Sequence, residues 1–227
     1  MTRRGGAEGQ PAARADDPLR GILLQLAAIT LFSLSDAMAK KLGETLPPVE
    51  IAWLRYLVFF GLVLLPLARR GGFGLVRSRA PWLQVLRGVG VAGSALLFIL
   101  ALSRLPLAEA TAINFVSPAF ITALSVIVLG EVVGWRRWTA LGIGLLGVLV
   151  ILRPGTEAFQ PDALLPIVSS ACWAAAAVVT RHMAGIDPPG TTLLWTAAVG
   201  FLLLTLLLPF GVVLPTAGEL ALGLLIG

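Results

Sequence analysis

A short pattern occurs twice in this chain, at a spacing of 141 residues. A basic pair at 40–41 is separated by five residues from a proline pair at 47–48, and the pairs at 181–182 and 188–189 stand in the same relation. Each basic pair ends an apolar run, and five such runs separate equivalent positions. Because five is odd, the second copy must cross a membrane in the opposite direction. Inverted repeats of this kind are typical of secondary transporters, with the substrate site near the midplane between the copies.

The composition independently indicates a membrane protein. Hydrophobic residues make up 57% of the chain, charged residues only 13%, and the mean hydropathy is +0.92. A soluble domain could not bury that much apolar surface. The formal net charge of +5 does not indicate nucleic-acid binding, because the basic residues lie between the apolar runs. With the single Cys172 and the single His182, we expect no disulfide framework, no metal site and no cofactor.

Apolar runs long enough to cross a bilayer follow one another along most of the chain. A spanning helix needs about 20 mostly apolar residues. The sequence therefore predicts an all-α, polytopic membrane bundle with about seven complete spans, at 21–39, 49–68, 82–102, 107–129, 135–152, 163–180 and 191–214, and a partial eighth from about Ala217. The predicted organisation is a disordered tail over 1–20, a first repeat over 21–155, and the start of a second, inverted repeat over 162–227.

The lysines and arginines outside the spans predict the orientation. With the N-terminus in the cytoplasm, eleven of them fall in inner segments and four in outer segments. Cytoplasmic loops of membrane proteins carry such an excess of positive charge. The same orientation places the first basic pair outside and the second inside, as an inverted repeat requires.

The first two spans carry charged and polar side chains that are candidates for a substrate site. Ser33, Asp36 and Lys40 share one face of the first span, and Arg55 with its neighbour Tyr56 lies about two turns into the second. Charged residues inside a span normally face a cavity or a partner. Asp36 can pair with Lys40, pair with Arg55 or reach water. Arg55 can form a structural ion pair or bind a substrate carboxylate or phosphate in a bidentate way.

The fourth span carries the clearest polar stripe. Thr111, Asn114 and Pro118 recur at helical spacing, with Ser117 beside them. Pro118 has no N–H to donate and should leave the Asn114 carbonyl free, which is either a device of a transporter site or a kink used only for packing. In the sixth span, Trp173 lies too deep for an interfacial belt and is a further candidate for the cavity wall.

Glycines make the fifth run thin, at positions 142, 144 and 147. Small residues allow helices to approach closely in a membrane. We therefore interpret this run as packing or dimerisation surface, and a homodimer is one expectation for the assembly. The lipid bilayer is the surrounding partner in either case.

Several segments together resemble the EamA-type proteins of the drug/metabolite transporter superfamily. The likeness rests on 31–40 (LFSLSDAMAK), 53–56 (WLRY), 105–113 (LPLAEATAI), Pro118, 129–131 (LGE) and 136–138 (RRW). It extends from about Gly21 to the end of the chain. The resemblance implies ten helices in two inverted five-helix repeats around a central cavity, in a bacterial inner membrane. It also implies transport of small metabolites, often as export, and some similar proteins are described as S-adenosylmethionine uptake proteins.

Three classes of function are weighed against these features. The favoured one is a secondary transporter of small metabolites, such as amino acids or S-adenosylmethionine-like solutes, or an exporter of metabolites or drugs, working by alternating access. Because the family pattern continues beyond the eighth span, the alternative is a non-transporting scaffold or assembly subunit, or an inactive fragment. An enzyme is disfavoured, since neither H-E-x-x-H nor G-x-S-x-G is present.

Overall fold

The computed structural model describes residues 18–70, 76–152, 161–210 and 213–227. Nine α-helices contain most of these described residues: α1 Pro18–Leu42, α2 Pro48–Arg70, α3 Pro81–Arg104, α4 Leu107–Asn114, α5 Ser117–Leu129, α6 Trp135–Leu152, α7 Leu164–His182, α8 Pro189–Leu207 and α9 Ala217–Ile226. The predicted tail lies outside the described residues up to position 17. Helix α1 begins at Pro18, three residues before the predicted boundary.

Six described segments are long and apolar enough to cross a membrane: Gly21–Leu42, Pro48–Leu65, Pro81–Arg104, Leu107–Leu129, Pro161–His182 and Pro189–Leu207. The predicted run 135–152 forms helix α6 but is not among these six. Its 18 residues extend about 27 Å, somewhat less than the hydrocarbon core of about 30 Å. The predicted run 191–214 is wrong at both ends, since α8 covers Pro189–Leu207. The predicted start of the partial eighth span is confirmed by α9, which begins at Ala217.

The sequence repeat is also a repeat of backbone hydrogen bonds. The Glu50 N–H donates to the Pro47 carbonyl over 3.0 Å, and the Thr191 N–H donates to the Pro188 carbonyl over 3.0 Å. Both proline pairs initiate helices, because α2 begins at Pro48 and α8 at Pro189. A proline suits the first helical position, where its missing N–H would have no intrahelical partner. The two turns therefore share their local structure as well as their proline pair.

The two equivalent turns lie at opposite ends of α3. Lys40, at the end of α1, donates from Nζ to the carbonyls of Leu102 and Leu105, 2.9 and 2.8 Å away, at the C-terminal end of α3. Asp187, in the turn between α7 and α8, accepts a 2.9 Å hydrogen bond from the Gln84 amide in the first turn of α3. This placement is the one that an inverted repeat requires.

Helix α3 is the central helix of the described bundle and packs against α2, α7 and α8. Small residues allow the close approach. A Cβ on Gly90 would lie 3.1 Å from the Cys172 carbonyl of α7. One turn further along, the hydroxyls of Ser94 and Ser169 lie 3.1 Å apart, and Ser169 also donates to the Ser94 carbonyl. Small residues and interhelical hydrogen bonds of this kind hold membrane helices together.

The chain divides into two compact units, Met1–Leu34 and Ser35–Gly227. The described part of the first unit is the N-terminal portion of α1. Its apolar side chains are mostly exposed, among them Leu24 and Leu31. The second unit holds a core of fully buried side chains, for example Ile99, Leu102 and Leu204.

Candidate functional site

The charged residues of α1 and α2 form an ion pair. Arg55 Nη1 lies 3.4 Å from Asp36 Oδ1, and the two side chains are 17% and 24% exposed. Among the arrangements that the sequence left open, the structure therefore shows the pairing of Asp36 with Arg55, while Lys40 binds carbonyls of α3. At 3.4 Å the contact is longer than the roughly 2.7–2.9 Å of a strong charge-assisted hydrogen bond.

Tyr56 is a packing residue between α2 and α8. Its side chain is 5% exposed, and its ring occupies the space that a Cβ on Gly200 would need. The ring also meets Phe59 edge-on, with centroids 5.9 Å apart. Ser33, the fourth candidate of these two spans, is exposed and belongs to the first unit.

The fourth span is broken where the proline predicts a break. Helix α4 ends at Asn114 and α5 begins at Ser117, so residues 115–116 form a turn inside an otherwise continuous apolar segment. Pro118 is the second residue of α5, where the missing N–H removes no intrahelical bond. The side-chain oxygen Oδ1 of Asn114 is buried and has no hydrogen-bond partner among the described residues. Buried polar groups are rarely left unsatisfied, so this atom marks a place for a donor.

The remaining predicted site residues lie on the same part of the bundle. Thr111 and Ser117 are half-buried, and Pro118 is exposed. Trp173 lies on α7, which packs against both α4 and α5, and it is 48% exposed. The predicted residues thus fall into two groups, one on α1 and α2 and one on α4, α5 and α7. Helices α2, α4 and α7 of these groups pack against α3.

Arg87 is a charged residue whose importance the sequence reasoning missed. Its Nε donates to the Thr180 hydroxyl over 2.6 Å, and its Nη1 donates to the Thr192 carbonyl over 3.5 Å and to the Thr196 hydroxyl. It therefore ties α3 to α7 and α8. In the sequence it lies near the start of the predicted run 82–102. Its position inside an apolar helix was the available signal, because an ionisable residue inside a span is a functional candidate by default.

A cavity of about 460 Å³ lies beside Arg87. Its lining includes Arg87, Thr180 and Ala184 together with Asp187 and Thr192. The cavity is bounded by the first half of α3, the last turn of α7, the following turn and the first turn of α8. Hydroxyls, a guanidinium and a carboxylate thus face one volume of the size that small-molecule sites occupy.

Asp187 is held in place at this end of the bundle by three donors. Its carboxylate accepts the Arg79 N–H over 2.9 Å, the Ser78 hydroxyl over 2.5 Å and the Gln84 amide over 2.9 Å. These hydrogen bonds, chiefly the one from the Arg79 backbone, hold the pKa of Asp187 below its ordinary value. The carboxylate therefore stays ionised throughout the neutral range. Across the described residues, no group of three or more His, Cys, Asp or Glu side chains is placed to hold a metal ion.

Comparison with known proteins identifies the family. The model of the EamA-like transporter family matches residues 19–153, which is more than half of the chain. The chain belongs to the EamA-like transporter family. The resemblance inferred from the sequence motifs is thereby confirmed, and the matched range includes both the Asp36–Arg55 pair and the broken fourth span of this EamA family member.

Curated relatives carry transporter names. The riboflavin transporter of Rhizobium johnstonii is 33% identical over 217 residues, covering 91% of this chain and 69% of that protein. The S-adenosylmethionine uptake transporter of Rickettsia prowazekii is 29% identical, covering 80% of this chain and 61% of that protein. The pseudopaline exporter CntI of Pseudomonas aeruginosa is 32% identical, covering 72% and 57%.

A protein of known crystal structure shares the fold. It superposes with a TM-score of 0.62 at 24% sequence identity, over 90% of this chain and 72% of that chain. This EamA family member spans between 57% and 69% of the length of the three curated relatives named above.

Proposed function

We propose that this protein is a secondary transporter of small organic metabolites in a bacterial inner membrane, with its N-terminus in the cytoplasm. Membership of a transporter family and the transporter names of the curated relatives support the class. The apolar spans and the excess of basic residues in alternate loops support the location and the orientation.

The single observation that carries the proposal is the broken fourth span with its unsatisfied amide oxygen. The turn at 115–116 separates α4 from α5 directly after Asn114. The Oδ1 atom of Asn114 is buried without a partner among the described residues. Broken helices form the substrate sites of many secondary transporters. The free oxygen accepts a hydrogen bond from an amine, hydroxyl or ring N–H of a solute. We place Thr111, Ser117, Pro118 and Trp173 around the same site.

The Asp36–Arg55 pair is proposed as the polar side of the transport pathway. Its 3.4 Å separation is longer than that of a strong charge-assisted hydrogen bond, and we infer that a charged group of a solute contacts the pair. Tyr56, the residue after Arg55, is the flanking candidate on this side, and Ser33 stays a prediction from the sequence. In the proposed mechanism the two repeats rock against each other, so that the site opens to one side of the membrane at a time.

For the substrate, we propose an amino acid, an S-adenosylmethionine-like solute or another small metabolite of mixed polarity, moved as uptake or as export. The relatives named above include an S-adenosylmethionine uptake transporter and a pseudopaline exporter. The site residues offer hydroxyls, one amide, an indole and one ion pair, which suit a zwitterionic or weakly charged solute better than a polyanion. The chemistry proposed is transport without catalysis, with the driving force taken from a gradient or from exchange.

Flux measured in membrane vesicles tests this function. Vesicles containing the 227-residue chain are supplied with labelled amino acids, S-adenosylmethionine and riboflavin, with and without a pH gradient. We expect saturable flux that Asn114→Leu abolishes. Ser170→Ala is the matched control, because the Ser170 hydroxyl is buried but bonds within its own helix to the Ile167 carbonyl, 2.8 Å away.

The outcomes separate the transporter from its alternative. Flux retained in Ser170→Ala and lost in a folded Asn114→Leu protein supports the site as well as the class. Saturable flux that survives Asn114→Leu would keep the class and move the site elsewhere. A stable protein partner recovered in place of any flux would favour a scaffold or assembly subunit.

A further inference from the structure

We propose that the cavity beside Arg87 binds the carboxylate of a small solute, with the Arg87 guanidinium as its anchor. This inference names a second site on the transport pathway, at the end of the bundle where α7 and α8 are joined. It rests on the proposed function for the role of the solute as a substrate, whereas binding itself can be tested without transport.

Arg87 forms no ion pair with a carboxylate of the described chain. Arg55, Arg104 and Arg181 each form an ion pair with an acidic side chain. Arg87 instead donates to two hydroxyls and one carbonyl, all of them neutral. Its Nη2 has no acceptor within the described ranges. A guanidinium inside an apolar helix is stabilised by an anion that accepts a hydrogen bond from its Nη2 group.

The neutral partners hold the guanidinium in position without neutralising it. Thr180 fixes Nε from α7, and the Thr192 carbonyl and the Thr196 hydroxyl fix Nη1 from α8. A side chain ordered by such bonds loses little further conformational freedom when a ligand binds. The Nη2 group is therefore preorganised rather than mobile.

The cavity has the dimensions of a site for a small carboxylate. Its volume is about 460 Å³, which lies within the range of roughly 300–1,000 Å³ that small-molecule sites occupy. Pro189 and Thr192 of the lining belong to the first turn of α8. A helix N-terminus carries a partial positive charge that adds to the attraction of an anion.

Asp187 limits which anions bind. Its carboxylate lines the same cavity and already accepts three hydrogen bonds from the first turn of α3 and the residues before it. The pair Arg87 and Asp187 is not among the ion pairs of the described chain, so the two opposite charges face the cavity separately. A zwitterion satisfies both charges, and Asp187 repels a dianionic phosphate more strongly than a monoanionic carboxylate.

Protection of an introduced thiol measures binding directly. Cys172→Ser removes the native thiol, and Ala184→Cys places a new one on the exposed lining of the cavity. The full chain is held in lipid nanodiscs, and labelling by a neutral maleimide is followed by mass spectrometry. Benzoate, benzamide and phenyl phosphate are the probes, since the first two differ in charge at nearly equal size.

We expect benzoate to slow the labelling at a roughly tenfold lower concentration than benzamide, because a hydrogen bond to a charged group is worth about one such factor or more. Arg87→Gln should abolish the preference, and Arg87→Lys, which keeps the charge but not the fork, should retain part of it. Arg104→Gln is the matched control on the same helix, since Arg104 lies at the opposite end of α3 and pairs with Asp162 over 2.7 Å.

The labelling rate without any probe reports whether each variant keeps the fold around Ala184. Equal protection by benzoate and benzamide, no protection by benzoate, or a stronger effect of phenyl phosphate would overturn the proposal. A benzoate preference that persists in Arg87→Gln would also overturn it. Flux that is intact in a protein without the benzoate preference would refute this site and leave the transport function standing.

Discussion

The contact between Gly200 and Tyr56 predicts a specific loss of stability. In the structure the Tyr56 ring occupies the space of a Cβ at position 200. Gly200→Ala improves helix propensity by about 1 kcal/mol, but it overpacks the α2–α8 contact, which typically costs about 1–3 kcal/mol. Gly61→Ala, on α2 with open space around it, gains the same propensity without the overlap. The difference between the two variants is therefore the overpacking alone, about 1–3 kcal/mol.

Unfolding in detergent, followed by circular dichroism during titration with a denaturing surfactant, measures this difference. We expect Gly200→Ala to unfold before Gly61→Ala. Tyr56→Ala removes the ring, so adding Gly200→Ala to it should change the stability as Gly61→Ala does. In a Tyr56→Phe background, which keeps the ring, Gly200→Ala should cause its full loss of stability. Equal stability of the two alanine variants in the native background would refute the reasoning, and so would a penalty that remains after the ring is removed.

Three further predictions concern polar contacts. Hydrogen bonds depress the pKa of Asp187 in the folded state. The contribution of Asp187 to stability is therefore present above the unfolded value near 3.8 and is lost only as the pH falls through the lower folded value. Protection of the Arg79 backbone amide from hydrogen exchange should stay constant between neutral pH and about pH 5, and Asp187→Asn should reduce this protection. Ser94→Ala and Ser169→Ala should each destabilise the α3–α7 contact by roughly 0.6–1.7 kcal/mol in the same unfolding assay, and a double variant no worse than either single one would show that they share one interaction. Asp36→Asn should destabilise the fold by up to about 3 kcal/mol, because the half-buried Arg55 loses the Asp36 carboxylate of its ion pair. Adding Arg55→Gln should recover part of that loss, and additive losses would contradict the pairing.

The helices and their connecting turns followed from local sequence. The proline pairs initiate α2 and α8, and Pro118 coincides with the break between α4 and α5. Each of these features depends on residues within about one turn of the proline, where ring geometry and a missing N–H act directly. The end of α8 was predicted too late, because the apolar run continues past Leu207 and hydropathy alone does not register where the backbone leaves the helix.

Charge pairing was predictable only as a set of alternatives. Equal depth in neighbouring spans made Asp36 and Arg55 candidates for each other, yet Lys40 was an equally close partner along the helix. The structure gives Lys40 the free carbonyls at the end of α3, at Leu102 and Leu105. Those carbonyls have no partners within their own helix, so they accept hydrogen bonds from the Lys40 ammonium. The Asp36 carboxylate therefore pairs with Arg55.

The sequence by itself determined the membrane class, most of the spans and the family of this protein, because apolar run length and proline position act over a few residues. Only the tertiary structure decided which groups share a site. The hydroxyl partners of Arg87 at Thr180 and Thr196 lie 93 and 109 residues along the chain. Their contact depends on how α3, α7 and α8 pack, and packing is set by the fit of whole helix surfaces around glycines such as Gly90. No local pattern encodes that fit.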